Sequence, residues 1–493
     1  MKITELYELG VNQREIDFVD IDPDRDLPLF IDPFFLGTRT DSWSVGASRT
    51  VRNFFETFVE IARSGDHSRA RALFDHLHEP NETCLGLSKY DPKGRAIGEK
   101  DADKLFQSII GSRAIESGVV EDLEDFRIFI PGIDKDKVSD MTTNIIRRHL
   151  IDYTARQCRL WGIPLSPGVA SEFYWDAASR EWVSAYYEAL VIGERKILLT
   201  PKSVVSFVRR YTPRKYHRSF VLEFLRHEHL AMGSSLVEFR KNGAPFVTKK
   251  SLEERVAPYS KEYLASFTSA HPDIFKEFKD WAESNASPIE DDEIARARGR
   301  LESAAVEFQG TAAICRYLTE KLVSISPGNA EASRYHRVCV GILEFLLYPN
   351  VTCPTVELEI NEGRKRIDIV FDNAAQSGFF HRVHAVGSIP AQFISVECKN
   401  YSKDVANPEL DQLIGRFSVN HGKVGLLLFR AIDDEVTLLA RCNDAFVAQQ
   451  GLIIPVSDRN LVALLSSVAA GDHASVDQFL SDRYRAISMN VRP

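Results

Sequence analysis

Cysteine is scarce in this chain and follows no pattern. The seven residues, at 84, 158, 315, 339, 353, 398 and 442, form no C-x-x-C pair. Neither a zinc ribbon nor a disulfide framework is suggested by that spacing. An odd number of scattered thiols fits a reducing cytosol, so a cytoplasmic location is expected. No run approaches 18 apolar residues, and no membrane span is expected. The opening stretch, MKITELYELGVNQREID, is charged and lacks an apolar core, so no secretory signal is expected either. Net positive charge is also missing: the formal charge is −9 and the pI is near 5.9. That excludes a uniformly basic nucleic-acid coat. It leaves room for a local basic groove, because the field in a cleft depends on nearby charges.

What is present is globular in character. The 493 residues are 44% hydrophobic and 27% charged, with no repeat of fixed period. That length exceeds one ordinary core, and two to four domains are expected. The stretch ESNASPIEDDE (283–293) reads as a linker, rich in Ser, Asn, Pro and acids. It divides the chain into a mixed α/β region over 1–285, a helical linker over 286–329, and a C-terminal domain over 330–493. In the first region, EIDFVDIDPDRDLPLFIDPFFL alternates like a strand broken by a Pro/Asp turn. Residues 51–78 and 139–160 have helical spacing, AYYEALVIGERKILLTP reads as a hairpin turning at Gly193, and RSFVLEFLRHEHL reads as a helix.

Beyond SISPGNA (324–330) the order is easier to read. ASRYHRVCVGILEFLLYP has helical spacing, with Val338, Ile342, Phe345 and Leu346 on one face. TVELEINEGRKRIDIVFDN alternates as two strands joined at Asn361-Glu362-Gly363, and QFISVECKN is a third. NPELDQLIGRFSVNHG reads as a helix capped by Asn407, with Pro408 in its first turn. GKVGLLLFRAI is wholly apolar, as in a sheet centre. A short helix and a strand follow in DAFVAQQGLIIPVSD. The expected order is α-β-β-β-α-β-α-β, a mixed sheet flanked by helices.

Within it, the run ISVECKN places two charges where a buried strand should be apolar. Residues two apart share a strand face. Ile394, Val396 and Cys398 point one way, and Ser395, Glu397 and Lys399 the other. In the preceding strand, Asp368 lies opposite Ile367, Ile369 and Phe371. Burying any one of these charges alone costs several kcal/mol, on the order expected for an unpaired ion. A divalent cation would offset that cost for the two carboxylates, and a Lys beside them could polarise a water.

These residues resemble the PD-(D/E)XK nuclease superfamily, the restriction-endonuclease-like fold with an αβββαβ core. Asp368 in RIDIVF and Glu397-Cys398-Lys399 in ISVECKN carry the likeness, and VECKNY is most similar to the Mrr-type branch. The likeness spans roughly residues 330–456. It implies that Asp368 and Glu397 bind Mg²⁺, with Mn²⁺ able to substitute, and that Lys399 helps activate the attacking water. It further implies that Glu344, in the preceding helix, completes the metal site, that the main-chain carbonyl of Cys398 is an extra ligand, and that Gln412 belongs to the catalytic group. Two features differ from the family pattern. Ile367 replaces the family's Pro, and the separation of 29 positions from Asp368 to Glu397 requires an insertion, SGFFHRVHAVGSIPAQ, read here as an extended hairpin.

The function implied is hydrolysis of DNA phosphodiester bonds, in a layout similar to bacterial restriction or anti-phage effectors. An RNA-directed nuclease and a catalytically silent binding or scaffold protein are the alternatives. Arg364, Lys365, Arg366, Lys403 and Arg416 suit a phosphate backbone. So does RKILLTPKSVVSFVRRYTPRKYHRSF (195–220), with eight Lys/Arg, no acid, and Tyr211, Tyr216 and Phe220 interleaved. Its Arg209, Arg210, Arg214 and Lys215 are the nucleic-acid candidates there; a solvated basic face or an intramolecular partner for acidic segments is the competing reading. Asp20, Asp22, Asp24, Asp26 and Asp32 lack the Gly and terminal Glu of an EF-hand loop. The glycines of LGLSKYDPKGRAIGEKDADKLF fit no phosphate-loop pattern. A homo-oligomer, a further defence-system subunit and an activating ligand are partners that such a layout admits.

Overall fold

The structure, a computed structural model, describes residues 1–86, 99–206, 211–291, 293, 294, 297, 310–357 and 368–489. The chain is mixed α/β, and a five-stranded mixed sheet lies in its C-terminal part.

The N-terminal half is built around three helices: α1 (Ser42–Arg63), α2 (Lys135–Ile145) and α3 (Arg147–Trp161). Asp41 caps α1 by accepting from the Ser44 amide. Gly162, with φ 74°, ends α3 in the left-handed conformation common at helix termini. A small sheet follows, in the order β1 (Ser166–Ala170), β2 (Tyr186–Ile192), β3 (Arg195–Ile197). The β2–β3 hairpin turns at Gly193, as the sequence implies. The stretch from Glu15 to Leu36 departs from its strand-like pattern. Phe30–Ile31 forms a short strand with Val205–Ser206, and Phe18, Asp22 and Leu27 make only isolated bridges, to Pro201, Arg25 and Leu85. Pro23, Pro28 and Pro33 have no amide to donate to a ladder. The aspartates instead serve local ends: Asp20 accepts from the Thr4 amide and hydroxyl, and Asp32 from the Phe34 amide. Among the other helices of this half are α4 (Leu222–Ala231) and α5 (Pro272–Ser284).

After α6 (Thr311–Val323) comes α7 (Ala332–Leu347), which opens the C-terminal unit. The sheet has the order β4 (Val351–Glu357), β5 (Asp368–Asn373), β6 (Phe393–Lys399), β7 (Val424–Phe429), β8 (Leu452–Ser457). β4, β5 and β6 are antiparallel neighbours; β6, β7 and β8 run parallel. The parallel steps cross over through α8 (Asn407–Ile414) and α9 (Glu435–Val447), and α10 (Asp458–Ala469) and α11 (Ala474–Met489) close the chain. Every residue of β7 is buried, which its apolar run demands.

Two local readings need correction. Asn407 is the first residue of α8 rather than its cap. Ala406 holds the cap position, and its amide donates to Glu409 at 2.8 Å, because Glu409 reaches back where Asn407 does not. The insertion between β5 and β6 is not an extended hairpin. Gly378–His381 is a helical turn continued by a wide turn over Arg382–Val386, and Phe379, Phe380 and Val383 are buried. Three apolar anchors at helical spacing outweigh a strand there.

The boundary at 286–329 is one of composition. Across it the apolar core is continuous. Gln157 of α3 donates to the Pro354 carbonyl on β4 at 2.9 Å, and Lys321 of α6 pairs with Glu15 at 2.7 Å.

The entry to β7 depends on one glycine. Gly422 has φ +98°, and a Cβ there would lie 2.5 Å from the Phe393 carbonyl oxygen. Gly422→Ala is expected to cost about 2 kcal/mol or more, from backbone strain plus the clash. Urea denaturation of the variant beside wild type measures it.

Candidate active site

β6 sets the site. Val396 and Cys398 face α7, and the Cys398 carbonyl accepts from His336 of that helix at 2.9 Å. Glu397 and Lys399 project from the other face, toward α8. They are 3% and 5% exposed, so neither charge is solvated on its own. The Lys399 Nζ is ion-paired with Glu397 and donates to Gln412 Oε1 at 2.8 Å. Arg416, just beyond α8, donates to Glu397 Oε2 at 2.7 Å. Glu397 is therefore held by two cations, and Lys399 by a carboxylate and an amide oxygen. Such charge-assisted bonds fix side chains in position.

Asp368 opens β5, where its Cα pairs with Glu357 of β4. The antiparallel register that pairs Ile369 with Val396 brings Asp368 level with Glu397 on the neighbouring strand. Strand alternation and register thus set two acidic positions side by side on adjacent strands. Glu397, Lys399, Gln412 and Arg416 are brought together as the sequence implies, with Arg416 closer to the centre than a backbone-binding role suggested.

One implied ligand falls elsewhere. Glu344 lies on α7, which packs on the opposite face of β6 from Glu397 and Lys399. It is fully buried and pairs with Lys202 of the N-terminal half at 3.7 Å. Burial, and then Asp17, hold its carboxyl well above the usual range. It does not complete a metal site with Glu397, because the helix that carries it covers the wrong face. The Cys398 carbonyl, for its part, already accepts from His336 at 2.9 Å.

The basic candidates divide. Lys403 is exposed, with its Nζ 5.5 Å from the Tyr401 ring centre. Arg364, Lys365, Arg366, Arg209 and Arg210 lie outside the described residues, as does most of the glycine stretch at 87–98. Arg214 and Lys215 take intramolecular partners. Arg214 pairs with Glu253 at 2.9 Å and lies over Tyr259, and Lys215 lies over Trp281. Tyr211 and Tyr216 are buried, stacked against Phe278, and not presented to bases. Tyr211 and Tyr216 are core packing, and among the described basic residues of that stretch Lys196, Lys202 and Arg214 pair with acids of the same chain.

A buried ionic cluster escaped the sequence reading. Lys202, fully buried, lies 3.4 Å from Asp291 and 3.7 Å from Glu344, with its Nζ 4.2 Å from the Tyr348 ring centre. Burial works against its charge, but Asp291, Glu344 and Asp17 together raise its pKa. Asp17 accepts from the Tyr153 hydroxyl at 2.6 Å. The available signal was a single Lys inside an apolar run, LLTPKSVV, with no local partner in the sequence.

A family model described as a domain of unknown function (DUF8370) matches residues 8–212, which covers α1, α2, α3 and the small sheet. No curated protein matches the chain. No solved structure matches it.

Proposed function

We propose that residues 330–493 form a metal-dependent nuclease that hydrolyses DNA phosphodiester bonds, in the service of restriction or anti-phage defence. Residues 1–285 would supply recognition or sensing. The observation that carries this reading is the buried Glu397–Lys399 pair on a central strand, with Gln412 and Arg416 fixed around it. A structural ion pair does not require a central, near-dry strand position. Replacing such a pair by apolar residues is often neutral or stabilising, so its presence favours a chemical role.

The donor set fits Mg²⁺. Glu397, and Asp368 level with it, offer hard carboxylate oxygens, and the Cys398 thiol is turned to the opposite face. Mg²⁺ takes oxygen ligands and keeps several waters, so two carboxylates suffice. When bound, the ion would neutralise charge growing on the phosphate. The remaining roles fall to side chains. Lys399 orients a nucleophilic water and stabilises the proton transfer from it. Gln412 positions the Lys399 Nζ through its 2.8 Å hydrogen bond. Arg416, now on Glu397, is placed to exchange that carboxylate for a substrate phosphate.

Plasmid DNA and labelled RNA, each with Mg²⁺, with Mn²⁺ and with chelator, test this reading. Cleavage of the DNA only with metal, lost in Asp368→Asn, is the expected result. Cleavage confined to RNA would move the substrate class, and metal-independent or Asp368-independent cleavage would place the chemistry elsewhere. Absence of any cleavage or metal binding would favour a scaffold.

A further inference from the structure

A second group of ligating side chains lies where the N-terminal half meets the sheet edge. Asp41, Cys353 and Asp372 each offer one ligand atom, and those atoms lie within 4.8 Å of one another. All three side chains are buried. Cys353 and Asp372 come from paired neighbouring strands, and Asp41 lies more than 300 residues before them, so the fold brings the third group to the other two. Asp41 caps α1, Cys353 lies on β4, and Asp372 lies on β5. Asp41 accepts from the Arg39 Nε at 2.8 Å and from the Ser44 amide at 2.9 Å. Asp372 accepts from the Ser42 hydroxyl and the Trp43 amide. Each carboxylate oxygen has two acceptor sites, so both groups keep capacity for a further ligand.

Two observations beyond the cluster point to a ligand. The Cys353 thiol is 2% exposed and has no hydrogen-bond partner among the described residues. It also lines a cavity of about 520 Å³, together with Asp372, His149, Asp152, Arg156 and His421. Cys353 thus lines the cavity wall with its sulfur within 4.8 Å of an oxygen of each buried carboxylate.

We infer that Asp41, Cys353 and Asp372 form a zinc site with a fourth position open to this cavity. A thiolate with two carboxylates suits Zn²⁺, whose usual ligands include Cys and Asp and whose preferred number is four. Three protein ligands leave one position for water or a small ligand from the cavity. The thiol must deprotonate on binding, and its proton passes to solvent. The soft sulfur separates this site from the oxygen-only pair at Asp368 and Glu397, which favours Mg²⁺. Because Asp41 belongs to the N-terminal half and the other two to the sheet, the ion would fasten the halves. Asp372 shares β5 with Asp368, so the cavity and the proposed nuclease site lie at opposite ends of one strand.

The test uses the full chain, stripped with chelator and titrated with Co²⁺ as the probe. One equivalent should give a sulfur-to-cobalt charge-transfer band. Cys353→Ser should abolish that band, and Asp372→Asn should weaken binding at least tenfold. Glu397→Gln should leave the band unchanged, whether or not the nuclease reading holds. Absence of a thiolate band in wild type, or its survival in Cys353→Ser, overturns the site. X-ray absorption on the zinc-loaded wild type gives a check that needs no variant. One sulfur among oxygen ligands is expected, and a shell without sulfur, or with more than one, overturns the assignment.

Discussion

Lys399→Met is expected to lower DNA cleavage by about 10³-fold while leaving the chain folded and able to bind DNA. The size follows from removing a group that acts on the attacking water, where single acid–base or electrostatic contributions are worth roughly 10²–10⁴. Folding should survive because Glu397 keeps its 2.7 Å bond from Arg416 after the ammonium is gone. Metal binding should also survive, since both carboxylate positions remain. Single-turnover cleavage beside an equilibrium DNA-binding assay separates the two quantities. Equal loss of binding and cleavage would make Lys399 a phosphate anchor instead. Unchanged cleavage would remove the site from the reaction altogether.

Gln412 gives the graded counterpart. It hydrogen-bonds Lys399 at 2.8 Å, so Gln412→Ala should reduce the rate by about 10-fold, the scale seen for outer supporting partners. A positioning role predicts that the loss falls on kcat with KM unchanged, and that Gln412→Glu, which keeps an acceptor oxygen, recovers most of it. A merely structural role would show no such recovery.

The part of this site legible in the sequence is the part encoded by short-range periodicity. Strand alternation places Glu397 and Lys399 on one face, and helical spacing places Gln412 and Arg416 a turn apart. The first holds because neighbouring residues in one strand cannot separate, and the second because Arg416 follows within two residues of the end of α8. Glu344 was misplaced for the opposite reason. Its helix was read correctly, but which face of the sheet that helix covers depends on packing, and the turn of Cys398 toward Cys339 and His336 decides it. The basic stretch at 195–220 misled because charge and aromaticity look the same whether Tyr211 faces solvent or stacks on Phe278. Asp41, Cys353 and Asp372 had no local signature, since Asp41 lies more than 300 positions before the other two and Cys353 and Asp372 match no ligand spacing.

Lys202→Met should destabilise the whole chain by about 3–5 kcal/mol near neutral pH, the cost of leaving buried charge uncompensated. Lys202 is fully buried and faces Asp291, Glu344 and Asp17, with Glu344 coming from the C-terminal unit. The penalty must depend on pH in a definite direction. Glu344 and Asp17 are both held above the ordinary carboxylate range, first by burial. The folded chain therefore retains protons that the unfolded chain releases above roughly pH 4. Stability from these groups is fully present below that point and is lost as pH rises through their folded values. Without the ammonium those folded values climb further, so the deficit of Lys202→Met should be larger at about pH 8 than at about pH 5. Adding Glu344→Gln removes one of the stranded carboxylates and should restore about 2 kcal/mol. Chemical denaturation followed by tryptophan fluorescence, at both pH values, gives all four numbers. A deficit that is flat with pH, or a double variant no better than the single, would mean that Lys202 acts by packing over Tyr348 and not by pairing with the acids across the two halves.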